Sequence, residues 1–284
     1  MKLPSKLDKI PKIIHCCWLS GEPIPTLYQQ CIDSWKRHMP DYEIILWDTN
    51  RFQISSMKFV KQAVEAKKWA YASDYIRLYA LYNHGGIYLD MDVMVYKSFD
   101  PFLAHSAFSS VEFNPKVFYK NFPKGSSVGL GIEAAVLGAE KGHPWIKDVM
   151  DFYISKEFIN KPKFYWNIIM PRVMTKISIE KYGFRLVPIY QVLESDIHLY
   201  PPDVFSSCYD ISINRLGGRD DNTYLKLGDE NKIRYAFHIC AHSWWEGAEV
   251  DSCVYRIKKS LINFFGKKKI TQMKMFFNRT KQNF

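Results

Sequence analysis

The chain has no Cys-x-x-Cys pair and no regular cysteine spacing. Its six cysteines, Cys16, Cys17, Cys31, Cys208, Cys240 and Cys253, are scattered. That argues against a disulfide-stapled scaffold and for a reducing compartment. No apolar run approaches the roughly 20 residues of a membrane span. The opening stretch, "MKLPSKLDKIPKIIH", places charges and prolines where a secretory leader needs an apolar run. A cytoplasmic location is therefore expected. Internal repeats and low-complexity linkers are absent, and so is every acid after Asp251.

What is present is a globular composition. The chain has 284 residues, 47% apolar and 16% aromatic, enough to bury a substantial core. Its formal net charge is +10, and nine basic residues from Arg256 to Lys281 carry nearly all of it. The body is close to neutral, which argues against a nucleic-acid-binding face and for a basic appendage on an enzyme-like domain.

"KIIHCCWL" (Lys12 to Leu19) reads as a buried strand between Pro11 and the "SGEPIP" loop. Leu27, Cys31, Ile32 and Trp35 have helical spacing over 26–38, stopped by Pro40. "YEIILW" reads as a second strand. Helices are expected near 56–68 and over 72–83, the latter ended by Gly85 and Gly86. "IYLDMDVMV" and "EAAVLGA" read as strands, and "HPWIKDVMDFYIS" as a helix opened by Pro144. This alternation predicts an α/β sheet covered on both faces, with ligands at the carboxyl ends of its strands.

Within "IYLDMDVMV", a continuous strand places Tyr88, Asp90, Asp92 and Met94 on one face and the apolar residues on the other. Two carboxylates so close repel unless a positive charge lies between them. A divalent cation fits, since hard carboxylate oxygens suit Mg²⁺ or Mn²⁺, and such an ion usually also holds a phosphate. A solvated strand edge is the plainer alternative. Asp74 and Arg77, three apart on the preceding helix, are neighbours on one face. They are either a surface ion pair of small value or, in this largely apolar helix, a partly buried pair able to bond sugar hydroxyls.

"PKIIHCCWL", "CIDSWKRHMPDYEIILWD", "ASDYIRLYALYNHGGIYLDMDV", "GAEKGHPWI" and "FHICAHSW" occur in an order that resembles the DXD-containing glycosyltransferases of family 32. That family includes yeast Golgi mannosyltransferases and bacterial capsule and O-antigen transferases. The block around Asp74, Arg77, Asp90 and Asp92 also resembles the glucosyltransferase domain of the large clostridial toxins. The resemblance, over about residues 10 to 245, implies the GT-A fold, a single nucleotide-sugar-binding α/β domain. It implies that Asp90 and Asp92 hold the metal and the donor's ribose and diphosphate, and that Asp74 and Arg77 contact the donor sugar. Trp18 matches an aromatic near the base, though a core tryptophan is as good a reading. His238 matches a histidine completing the metal site, with His242 as the alternative, and Ser243 and Trp244 match a pair touching the diphosphate. Two departures stand out. Glu133 replaces an asparagine near the donor sugar, where it can bond hydroxyls or stabilise positive charge, or be a solvated loop acid. Met170 replaces the glycine before Pro171, in a segment bordering the acceptor.

The expected organisation is a GT-A domain over 1–251 and a basic amphipathic helical tail over 252–284. The expected activity is metal-dependent, retaining transfer of a hexose from a nucleoside-diphosphate sugar, UDP-hexose before GDP-mannose, to a glycan or lipid-linked acceptor of a surface polysaccharide. Mn²⁺ or Mg²⁺ is the expected cofactor. Alternatives are a metal-dependent nucleotide-sugar phosphohydrolase or nucleotidyltransferase, and a non-catalytic membrane-associated scaffold. In the tail, Ile257, Leu261, Phe264 and Phe265 share a helical face among lysines, and Ile270, Met273, Phe276 and Phe277 repeat the pattern. This reads as an anchor for anionic lipid at the inner face of a cytoplasmic membrane.

Overall fold

The structure is a computed structural model that describes residues 8–124, 128–206 and 233–240. The tail over 252–284, together with His242, Ser243 and Trp244, lies outside the described residues. In chain order the elements begin with β1 (Ile13–Cys17), α1 (Thr26–His38), β2 (Glu43–Trp47), α2 (Lys58–Glu65), α3 (Trp69–His84), β3 (Gly86–Leu89) and β4 (Val93–Val95). Next come β5 (Ala107–Phe113), α4 (Pro115–Asn121), β6 (Leu130–Ile132), β7 (Val136–Ala139), α5 (Pro144–Ile154), α6 (Pro162–Ile168) and α7 (Met170–Tyr182). The last are β8 (Gln191–Leu193), β9 (Ile197–Tyr200), α8 (Pro202–Phe205) and β10 (Ala236–His238).

Eight strands make one mixed sheet in the order β2-β1-β3-β7-β5-β9-β8, with β6 added beside β5. β1 runs parallel to both β2 and β3, whereas β7 lies antiparallel to β3. The carboxyl ends of β1 and β3 and the amino end of β7 therefore meet at one edge. That edge carries Trp18, Asp90 and the 133–135 segment. The helices over 26–38 and 144–154 fall where the periodicity predicts them, because each has an apolar face to bury. Cys31, Ile32 and Trp35 do so in α1, and Trp145, Ile146, Val149 and Met150 in α5.

One expectation is corrected. "IYLDMDVMV" is not a continuous strand: β3 ends at Leu89, residues 90–92 form a turn, and β4 joins β10 in a separate two-stranded sheet. The Val93 N–H bonds back to the Asp90 carbonyl at 3.0 Å and closes the turn. Both sides of the segment are covered, with Tyr88 and Met94 as buried as Ile87 and Val93. No solvent-facing strand edge exists here, so the two-residue alternation does not place the carboxylates. α1 holds the far side of the turn: Trp35 donates its indole N–H to the Val93 carbonyl at 2.7 Å, and Ser34 Oγ accepts the Val95 N–H at 2.9 Å.

The α3–β3 junction needs glycine. Gly86 has φ +108°, and a Cβ there meets the Ile13 carbonyl oxygen at 2.6 Å, so β1 and β3 approach each other only without one. Gly86→Ala is expected to destabilise the fold by about 2 kcal/mol or more. Gly142→Ala, at φ +77° with open space around it, should cost less. Chemical denaturation of the two variants checks the difference.

Candidate active site

The centre of the site is a buried cation. Arg77 on α3 is 4% exposed, and five protein oxygens surround its guanidinium. Nε and Nη2 donate to the Ser73 carbonyl at 3.3 Å and to Ser73 Oγ at 3.1 Å. Nη1 donates to the Ala134 carbonyl at 2.8 Å. Nη2 also lies 3.1 Å from Asp74 Oδ1, and Nη1 lies 3.2 Å from Asp90 Oδ1. The guanidinium stacks 4.4 Å above the Tyr88 ring, and the Tyr88 hydroxyl donates to Asp90 Oδ1 at 2.8 Å. In this arrangement the protein itself takes up the donors of Arg77.

Asp74 is 7% exposed. Burial pushes its carboxyl up to about 7, against the pull of Arg77 and a hydrogen bond from the Met170 N–H. Met170 opens α7, so the segment expected to border the acceptor reaches Asp74 through its backbone. Burial opposes the charge of Arg77, but Asp90, Tyr88 and Asp74 around it keep it a cation. Burial also holds Tyr88 in its neutral, donating form.

Asp90, Asp92 and His238 converge. One ligand atom from each lies within 4.8 Å of the others, the one such group of metal-binding side chains among the described residues. Pairing of β4 with β10 brings them together: His238 sits opposite Val93, and the Ile239 N–H bonds to the Asp92 carbonyl at 3.0 Å. His238 Nε2 is 3.5 Å from Asp92 Oδ1, and its Nδ1 is 3.3 Å from Glu133 Oε1. Burial disfavours the imidazolium, but Cys240, Asp92 and Glu133 outweigh it and raise the His238 pKa. Two carboxylates and an imidazole make a donor set of hard oxygens and one nitrogen, which fits Mn²⁺ well and Mg²⁺ acceptably.

Glu133 is not a solvated loop acid. It is 2% exposed, accepts the Ala135 N–H at 3.0 Å and the Ser206 hydroxyl at 2.7 Å, and stays ionised below the usual range because His238 and these donors outweigh its burial. Trp18, half-buried at the exit of β1, donates its indole N–H to the Glu22 carbonyl at 2.6 Å and packs edge-on to Tyr28. It packs against the hydrophobic core that contains Cys16, Cys31 and Trp35. Sequence reasoning missed Tyr88, Ser206, Arg234 and the Met170 backbone. Arg234 carries the one readable signal, a cation directly before an apolar strand.

Residues 25–109 match the glycosyltransferase sugar-binding region containing DXD motif. The match takes in α1 to α3, β3, β4 and the Asp90–Asp92 turn of the mixed α/β sheet, and is a likeness of that region to a DXD-motif sugar-binding region. The chain is related to fungal mannosyltransferases. It is 31% identical over 177 residues to inositol phosphoceramide mannosyltransferase 3 of Schizosaccharomyces pombe, covering 60% of this chain and 42% of the relative. It is 30% identical over 150 residues to the mannosyl phosphorylinositol ceramide synthase of Saccharomyces cerevisiae, covering 50% of this chain and 34% of the relative. The chain thus spans about two fifths or less of the length of these relatives. A solved structure similar to it is the PaToxG glycosyltransferase, 21% identical with a TM-score of 0.45, covering 61% of this chain and 71% of that one.

Arg77→Ala leaves two carboxylates facing each other without their cation and is expected to destabilise the protein by about 3–5 kcal/mol, read by urea denaturation. Asp74 adds a pH dependence. Its folded-state pKa is raised above the unfolded value, so its contribution is present at low pH and lost as pH rises from about 4 through about 7. Asp74→Asn should remove that loss, so the variant gains on the metal-free wild type as pH rises. An unchanged difference between pH 4 and pH 8 would contradict the assignment.

Proposed function

We propose that the chain transfers a hexose from a nucleoside-diphosphate sugar to a hydroxyl of a glycan or lipid-linked acceptor, with retention and with a divalent cation bound. The convergence of Asp90, Asp92 and His238 at the carboxyl end of β3 carries this reading. Those three residues would hold Mn²⁺ or Mg²⁺. When bound, the ion supplies Lewis-acid stabilisation of the diphosphate as it leaves.

The chain's own residues prepare that chemistry. Arg77 and the Tyr88 hydroxyl fix Asp90, so the carboxylate is oriented before any ligand arrives. Arg77 and Asp74 define the inner, donor-sugar end of the cleft. The Asp74–Met170 bond ties that end to α7, which we assign to the acceptor side. We assign Trp18 to the nucleotide base, on the sequence resemblance. We also assign Ser243 and Trp244 to the diphosphate, on the sequence resemblance. No catalytic base is assigned, since the leaving phosphate can itself take the acceptor proton on the face from which it departs. The relatives' names speak of mannosyl transfer and of inositol phosphoceramide. GDP-mannose therefore stands beside UDP-hexose as donor, and a lipid-linked acceptor is in keeping with both. The tail over 252–284 would keep the enzyme at an anionic membrane surface where surface polysaccharide is assembled. Among the described residues no helix is long and apolar enough to cross a membrane.

Incubation with a panel of nucleotide sugars should give donor hydrolysis or transfer with Mn²⁺ and none in EDTA. Asp92→Asn should lose activity by orders of magnitude while keeping its fold, since removing one of two adjacent charges relieves repulsion. Full turnover in EDTA would remove the metal from the mechanism. Truncation after Gly266 should release the protein from anionic liposomes at physiological salt and leave donor hydrolysis intact. Continued pelleting of the truncated protein with those vesicles would refute the anchor.

A further inference from the structure

Glu133 is the meeting point of three chain segments. It lies between β6 and β7, and its Oε1 accepts the Ala135 N–H of its own segment at 3.0 Å. Its Oε2 accepts the hydroxyl of Ser206, just past α8, at 2.7 Å. Its Oε1 also stands 3.3 Å from Nδ1 of His238 on β10. The last two segments are bound to each other as well. Buried Arg234 donates from Nη1 to the Ser206 carbonyl at 2.9 Å and to the Ala236 carbonyl at 3.4 Å. A carboxylate so enclosed and so engaged does not reach out to a sugar hydroxyl.

A neutral imidazole carries one N–H and one bare nitrogen, and the partner of one nitrogen selects the role of the other. We infer that Glu133 is a positioning residue for the metal site: it accepts Nδ1–H of His238, so that a cation displacing the Nε2 proton finds the bare Nε2 facing Asp92 and Asp90. The inference rests on reading that cluster as a cation site. A carboxylate behind a ligating histidine fixes both its tautomer and its ring orientation. Here the carboxylate is itself fixed by Ser206 and Ala135, so the orientation is imposed from the sheet edge. Cys240 Sγ, 3.5 Å from the same Nδ1, is the competing partner. Thiols are much weaker acceptors than carboxylates.

Mn²⁺ binding by calorimetry and by electron paramagnetic resonance, on full-length protein without donor, tests this. Glu133→Met keeps the side chain's length and removes the acceptor, and it should weaken Mn²⁺ binding about 10- to 100-fold. Glu133→Gln keeps an acceptor oxygen and should restore most of the affinity, a rescue that lost packing alone does not predict. Cys240→Ser should bind as the wild type does. Should Glu133→Met fail to fold, Ser206→Ala decides: it frees one side of the carboxylate and should weaken Mn²⁺ binding severalfold. Wild-type affinity in every folded Glu133 and Ser206 variant overturns the positioning role alone, as does weakening confined to Cys240→Ser. Failure of the wild type to bind Mn²⁺ overturns the metal reading and the positioning role together.

Discussion

One guanidinium joins the elements that make this site. Arg77 reaches from α3 to the end of β3 through Asp90, to the segment before β7 through the Ala134 carbonyl, and back to its own helix through Ser73 and Asp74. Burying a cation is costly unless hydrogen-bonding partners and opposite charge surround it. Here three hydrogen bonds and two carboxylates within ion-pair distance surround it, and the ring of Tyr88 covers one face. Asp74, the more enclosed, is pushed toward its neutral form, and Asp90 keeps side-chain exposure toward the cleft.

The turn at 90–92 converts that anchorage into a binding geometry. A continuous strand would carry its side chains past the sheet edge in strict alternation. The observed break hands the chain from the large sheet to the β4–β10 pair, and α1 secures β4 through Trp35 and Ser34. Asp90 therefore belongs to one sheet's edge and Asp92 to the start of the next. A late segment can pair alongside and add an imidazole. Like charges are held close by a turn fixed at both ends.

How much of this was legible depends on the kind of signal. The helix over 26–38 was readable because a 3.6-residue apolar period survives whatever packs against it. The strands at 13–17 and 43–47 were readable as short apolar runs between loop signals. The break at 90–92 was not, because Ile87 to Val95 is apolar on both sides of it and periodicity cannot separate one buried strand from two. Asp90 and Asp92 were legible as a pair by charge alone, whereas the apolar helix around Asp74 and Arg77 left their burial and a surface ion pair both open. His238 came from resemblance, since a lone histidine on a short strand carries no pattern of its own. Ser206 and the Met170 N–H carry none either: a hydroxyl and a backbone amide take their roles from contacts distant in sequence.

Glu133 shows what those distant contacts do. Read by itself, an acid in "GIEAAVLGA" suits a cleft wall or a solvated loop equally well. In the fold, the carboxylate finds a hydroxyl from just past α8 and an imidazole from β10, while Arg234 clamps those two segments together. The early half of the chain supplies the acidic side of the cluster, with Arg77 holding Asp90. The late half supplies the imidazole, and Glu133, on the connection between β6 and β7, aligns it. Buried cation and buried anion thus have complementary tasks. Arg77 orients one carboxylate of the cluster, and Glu133 orients its imidazole. Neither needs to touch a ligand for the cleft's shape and charge to depend on it.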